Sequence, residues 1–288
     1  MIAAPCVVAV SAPVLKLLAR APRRARVRAG GGAAYLELGD SVVVLSGPGT
    51  PLLPNSIAVA GPLPRVDGVA TVARGCIALP AWAAVWDPCR VPVWDPVVTP
   101  VEPADLPALS ARGRALLDAL GRAPPELAAL AGADLAAARA AALGLVGRGP
   151  GLTPEGDDVL VGTCVALVAA GRRRRAAALL PSRLRERTTA LSATFLELAV
   201  AGAGADALHT LLDPRSERWP AALVRLEGLG ASSGRAMALG AALVAAGAAA
   251  TQPSGNGAPC SDSGREPKIR RSSSPMATSL MLASRRCM

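Results

Sequence analysis

Aromatic side chains are scarce in this 288-residue chain, which has 4 Trp, 1 Tyr and 1 Phe, and there is one histidine, His209. So few rings offer little on which nucleic-acid bases could stack, and no reading motif accompanies the 31 Lys and Arg that outnumber 21 Asp and Glu. Nucleic acid is therefore not an expected partner, despite a net charge of +10. The excess lies in "RAPRRARVR" at 20–28, "RRRR" at 172–175 and the C-terminal segment, and these clusters read as solvated basic loops. No two of the six cysteines (Cys6, Cys76, Cys89, Cys164, Cys260 and Cys287) have the close spacing that clamps zinc or forms a redox pair. They are expected to be reduced thiols of a cytoplasmic protein. A Ser/His/Asp set with a nucleophile motif is also missing.

No apolar run reaches the roughly 20 residues that a bilayer requires. The longest, "AMALGAALVAAGAAA" at 236–250, is made of small residues and reads as a buried packing helix, so no membrane partner is expected. The opening "MIAAPCVVAVSAPV" has no positive charge before its apolar part and is interrupted by Pro5 and Pro13, which argues against a signal peptide.

What is present is a chain that is 51% hydrophobic and 18% charged, enough to bury a core as one large domain or two small ones. The periodicity changes once. Up to about residue 103, short runs such as "YLELG", "SVVVLSG", "SIAVAG" and "VATVARGCIAL" are cut by Pro and Gly and predict a small β domain, either barrel-like or a bent sheet. From 104 to 250 the runs lengthen and predict helices over 104–121, 125–147, 154–170, 183–203, 205–212, 217–228 and 233–249. The expected class is α+β, a β-rich domain over 1–103 followed by a helical domain over 104–250. Residues 251–288 lose periodicity and gain Ser, Pro, Gly and Arg, which reads as a disordered or frame-shifted tail.

Two stretches read either as capped helix starts alone or as parts of a site. In "GRGPGLTPEGDDVLVG", residues 147–162, Thr153 suits a helix N-cap, Pro154 the first helical position and Glu155 the first turn. Those three do not account for Gly147, Gly149 and Gly151 alternating before the cap, or for Asp157 beside Asp158 on a helix that is apolar from Val159 onward. A Gly-rich loop at a helix start leaves backbone N–H groups open to an anion, and paired carboxylates can hold a cation or accept from an amide NH₂. In the second stretch, "GLGASSGRAMALG" at 228–240, Ser232 or Ser233 would cap a helix and Gly234 and Gly240 would allow close packing. It reads either as a tight helix–helix turn or as a second helix start aimed into the same cleft.

These stretches, with "LSATFLELAVAGAGADALHTLL" and the upstream "GPGTPLLPNSIAV", resemble the bacterial AllH-type family, and the likeness spans most of residues 35–247. The resemblance implies a subunit of an oxamate carbamoyltransferase, which exchanges a carbamoyl group between oxalurate and phosphate in allantoin breakdown. It also implies partner subunits and a small anionic substrate. Arg235 and Ala236 follow "SSG" where an acidic residue is expected nearby. In this reading Gly149, Gly151 and Thr153 cradle an anion, Arg148 binds a carboxylate or phosphate, Ser232 and Ser233 donate hydroxyls, and Asp157 and Asp158 act on the carbamoyl NH₂ or hold a divalent metal. The alternative is a non-catalytic assembly or anion-binding subunit. His209 and Cys164 read as packing residues, and Ser192 and Thr194 as helix residues that back-bond or face the same cleft.

Overall fold

The computed structural model describes residues 6–251, apart from 20, 21, 31, 62, 64–66, 80, 81 and 122. From residue 252 onward, the segment read as a tail lies outside the described residues.

The alternating runs form nine strands: β1 (Val7–Ser11), β2 (Arg23–Gly30), β3 (Ala33–Leu38), β4 (Ser41–Ser46), β5 (Ser56–Val59), β6 (Gly68–Ala73), β7 (Cys76–Leu79), β8 (Trp82–Val85) and β9 (Val93–Trp94). They make one sheet in the order β8-β7-β6-β2-β3-β4-β5-β1-β9, curled into a half-barrel with β8 and β9 at its ends. Of the two expected shapes, the bent sheet is the one found. "VATVARGCIAL" is a hairpin rather than one strand: it turns at Gly75, where φ is +79° and a Cβ would lie 2.6 Å from the Trp86 carbonyl oxygen. The inner face packs Val10, Val27, Leu36, Leu45, Ile57 and Ile77 around α1 (Ala12–Leu18), a helix that the β-type reading of this region omits.

"RAPRRARVR" is likewise not a loop. Its alternation places Ala25 and Val27 inward and Arg24, Arg26 and Arg28 outward on β2. The second cluster lies in α6 (Arg173–Leu179), where Arg172 and Arg175 donate to the carbonyls of Ala248 and Ala133, at 2.7 and 2.9 Å. Strand geometry organises the first cluster and carbonyl acceptors the second, which composition alone cannot reveal.

The helical region comprises α2 (Leu106–Leu120), α3 (Ala128–Ala131), α4 (Leu135–Leu145), α5 (Glu155–Ala169), α6, α7 (Ala190–Val200), α8 (Asp206–Leu212), α9 (Trp219–Glu227) and α10 (Ser233–Ala246). The expected helix over 125–147 is broken after Ala131, and Asp134 restarts the chain as an N-cap that accepts from the Ala136 and Ala137 N–H groups. Residues 6–251 fall within one compact unit. The outer face of β4 contributes Val42 and Val44 to the helical core, against α7, so β4 is buried on both faces. None of the described helices is long and apolar enough to cross a membrane.

The centre of this region is a backbone contact. A Cβ at Gly162 of α5 would overlap the Met237 carbonyl of α10, and one at Gly240 of α10 would overlap the Val159 carbonyl of α5. On its other side α10 meets Gly113 of α2, where a Cβ would overlap the Ala246 backbone. Gly162→Ala is expected to destabilise the protein by about 1–3 kcal/mol in urea denaturation, because two packed backbones have no rotamer with which to yield. Gly144→Ala, on an exposed part of α4 with open space around it, should be neutral or stabilising by up to about 1 kcal/mol.

Candidate functional site

The loop before α5 takes a path that side chains resist. Gly147, Gly149 and Gly151 have φ of +72°, +122° and +99°. A Cβ at Gly147 would also overlap the Arg187 carbonyl, and one at Gly149 would lie 2.9 Å from the Glu155 nitrogen. The alternating glycines thus meet a conformational need first. The helix begins at Glu155 with Pro154, not Thr153, at the N-cap, and no side chain caps it. The Pro154 carbonyl takes the N–H groups of Asp157 and Asp158 at 2.9 and 3.2 Å, and the Arg148 carbonyl takes that of Gly156 at 2.9 Å. Three amides of the first turn are therefore already bonded. Arg148, Gly149 and Gly151 are exposed, and the Arg148 guanidinium has no hydrogen-bond or ion-pair partner among the described residues.

Thr153 instead reaches the second stretch. Its hydroxyl lies 2.9 Å from that of Ser233, 80 residues away. Thr153 and Ser233 meet at the starts of α5 and α10, and Gly162 and Gly240, which meet at the crossing, lie equally far into the two helices, so α5 and α10 run parallel with both N-termini at one end. A third helix start joins them. Thr188 donates to Asp157, and Thr189, the N-cap of α7, donates to the Leu152 carbonyl at 2.5 Å and accepts from the Ser192 N–H at 3.1 Å. The sequence reading missed Thr188 and Thr189, although a threonine directly before an apolar run is an N-cap signal.

The two aspartates, both 1% exposed, differ in role. Asp157 is a tie: Oδ1 accepts from the Gly147 N–H at 2.8 Å and Oδ2 from the Thr188 hydroxyl, fastening the loop and the start of α7 to α5. Asp158 is not tied. Its Oδ2 is buried without a hydrogen-bond partner among the described residues. Burial above all, joined by the charges of Asp157 and Glu155, raises its pKa to about 7, against the Ser233 and Thr153 hydroxyls beside it, which favour the charged form. The result is a carboxyl that shares its proton near neutral pH, below a pair of hydroxyls at the meeting point of three helix starts.

The remaining expected residues separate from this point. Ser232 is exposed at the start of α10 and makes no cap bond, and Arg235 is drawn to Glu227 and the Leu120 carbonyl. Thr194 back-bonds to the Ala190 carbonyl at 2.8 Å, and Ser192 Oγ is buried without a partner among the described residues. Burial pushes the Cys164 thiol up to about 12, as expected of an inert core thiol. Among the described residues no three His, Cys, Asp or Glu side chains gather to hold a metal, so a cation at Asp157 and Asp158 would need hydroxyl or carbonyl donors.

The clefts lie elsewhere. One of about 590 Å³ is lined by Val98–Glu102, His209 and Asp213–Ser216, and another of about 340 Å³ lies between α1, β4 and α7. His209, expected as a packing residue, packs near Trp94 and also lines the first cleft. Its Nε2 lies 2.7 Å from the Pro96 carbonyl and must carry the proton there, and burial lowers its pKa. The second is lined by Thr194 and by Asn55 of "GPGTPLLPNSIAV", whose Oδ1 is buried without a hydrogen-bond partner among the described residues, but neither cleft holds a buried carboxyl, and the chemistry at Asp158 matters more here.

The contrast between the aspartates is measurable. Asp157→Ala strands the Gly147 N–H and the Thr188 hydroxyl and should cost about 1–3 kcal/mol. Asp158→Asn should do the opposite. A carboxyl whose pKa is raised on folding holds its proton more tightly in the folded state, so the wild type loses stability as pH rises from the unfolded value near 4 through about 7. Melting curves should show Asp158→Asn matching the wild type at about pH 4 and below and exceeding it at pH 8.

No curated protein and no solved structure matches this chain. Residues 145–245, which hold both loop stretches, the two aspartates and α5 through all but the last residue of α10, match the model of the family described as oxamate carbamoyltransferase subunit AllH.

Proposed function

We propose that this chain is a subunit of an oxamate carbamoyltransferase-type enzyme and that the meeting point of α5, α7 and α10 handles the carbamoyl group. The observation that carries this reading is the buried, unpartnered Oδ2 of Asp158 beneath the Thr153 and Ser233 hydroxyls, within the segment that matches the family. In carbamoyl transfer a phosphate oxygen attacks the carbamoyl carbon of oxalurate, the carbon–nitrogen bond to oxamate breaks, and the departing nitrogen takes a proton. A carboxyl that titrates near 7 suits that proton movement. Protonated Asp158 gives its proton to the oxamate nitrogen and regains one from the attacking hydrogen phosphate, leaving carbamoyl phosphate and oxamate. The Thr153 and Ser233 hydroxyls and the exposed N–H groups of Gly149 and Gly151 face the oxyanion, with Ser232 at the rim. Arg148 binds the carboxylate or phosphate. Asp157 positions the loop, which is a narrower role than its sequence neighbour's. If a divalent cation takes part, the two carboxylates would hold it with the hydroxyls.

A second reading, an assembly or anion-binding subunit without chemistry of its own, is favoured by the occupied first-turn amides of α5 and by the two bonds on Asp157. The two differ in what Asp158→Asn does in the assembly reconstituted with its partner subunits. Carbamoyl phosphate formation should fall by about 10²- to 10⁴-fold while phosphate and oxamate still bind, and the pH-rate limb near 7 should vanish. Undiminished turnover in that variant would establish the second reading. By itself, the chain should show little or no transfer, as assayed with oxalurate and phosphate.

A further inference from the structure

The outer face of the sheet is covered on only one side. Helices pack on it at β4 and reach Tyr35 and Ala33 of β3, but beyond β3 the described residues leave it bare. On an antiparallel sheet the bare face is ordinarily polar. Here the register runs Arg24–Thr71–Ala78–Ala83 across β2, β6, β7 and β8, with Ala73–Cys76–Val85 beside it and Arg26 against Val69. None of these residues on β6, β7 and β8 is charged, and Val69 and Val85 are 48% and 68% exposed. Along the border, Arg24 and Arg26 have no hydrogen-bond or ion-pair partner among the described residues, while Arg28 pairs with Glu37 at 3.0 Å.

An uncharged, small-residue surface bordered by unpaired guanidinium groups has the composition of an interface core with one charged margin. We propose that the outer face of β2, β6, β7 and β8 docks a partner protein chain that presents an apolar surface flanked by carboxylates. Charge selects this occupant. Residues 252–288 carry Arg265, Lys268, Arg270, Arg271, Arg285 and Arg286 against Asp262 and Glu266, so they share the sign of the stripe. A second copy would bring an equally basic stripe. Nucleic acid would gain charge contacts at β2 but nothing at β6 to β8, where Trp82 and Trp86 are buried and cannot stack on bases. This face is distinct from the Asp158 site, so loss of docking and loss of carbamoyl transfer are separable outcomes.

The test uses the full chain co-expressed with the products of the reading frames that flank its gene, purified through a tag on this chain and sized by light scattering. Cys76 lies on the face and the exposed Cys6 stands beside β1, at the other side of the strand order, so each complex carries its own control. In a complex of defined stoichiometry, maleimide labelling of Cys76 should slow by at least about tenfold relative to the free chain while that of Cys6 is unchanged. Arg24→Glu with Arg26→Glu should weaken the complex by on the order of 10- to 100-fold with unchanged circular dichroism. If that variant does not fold, Thr71→Lys, a surface change on the same row, reads the same effect. The proposal is overturned if Cys76 labels equally fast in the complex, if neither variant weakens it, or if none of those products binds. It is also overturned if the free chain self-associates through this face, if removing residues 252–288 exposes Cys76, or if the face binds RNA that the arginine reversal releases.

Discussion

The close approach of α5 and α10 at Gly162 and Gly240 is the contact on which the rest of the helical region depends. Ridges of side chains usually hold helices 8–10 Å apart. Here glycines let each backbone lie against the other's carbonyls, and α2 repeats the arrangement on the far side of α10 through Gly113. This fixes the register as well as the distance, since a shift along either helix would drive a Cβ into a carbonyl. Register in turn sets Thr153 opposite Ser233. The site at the helix starts is therefore a consequence of packing nearly two turns further along the core.

Parallel packing carries an electrostatic cost that the loop sequences offset. Two helix N-termini, joined by that of α7, place partial positive charge at one point. Asp157, Asp158 and Glu155 answer it. Asp157 does so through directed hydrogen bonds, which hold its charge in place and join three segments of chain. Asp158 lies where burial outweighs the favourable dipoles and hydroxyls, and its proton is retained up to about pH 7. A buried carboxyl with an unpartnered oxygen destabilises the free protein at neutral pH. The fold tolerates it because the surrounding contacts, dense and glycine-mediated, leave no alternative packing.

The curled sheet shows a similar division of labour. Its inner face forms one core around α1, and at β4 its outer face becomes part of the helical core through Val42 and Val44. Strand β4 thereby joins the two regions, and the Val97–Ala203 bridge ties the chain leaving β9 to the segment before α8.

Much of this was legible in the sequence. The change from alternation to helical periodicity gave the α+β class, and α5, α8, α9 and α10 begin within two residues of their expected starts, because long apolar runs and glycine or proline punctuation are local signals. Arg24, Arg26 and Arg28 were read as loop, since charge clusters conceal a strand whose buried half is only Ala25 and Val27. The motif glycines were recognised as exceptional, yet their first duty, the positive φ at Gly147, Gly149 and Gly151, is a property of the chain path that only tertiary structure displays. The clearest limit is the pair Asp157 and Asp158. Adjacent in sequence and alike in chemistry, they are separated by about 100° around the helix. One turns toward Gly147 and Thr188, the other toward Ser233, and that rotation decides which carboxylate fastens the fold and which keeps its proton.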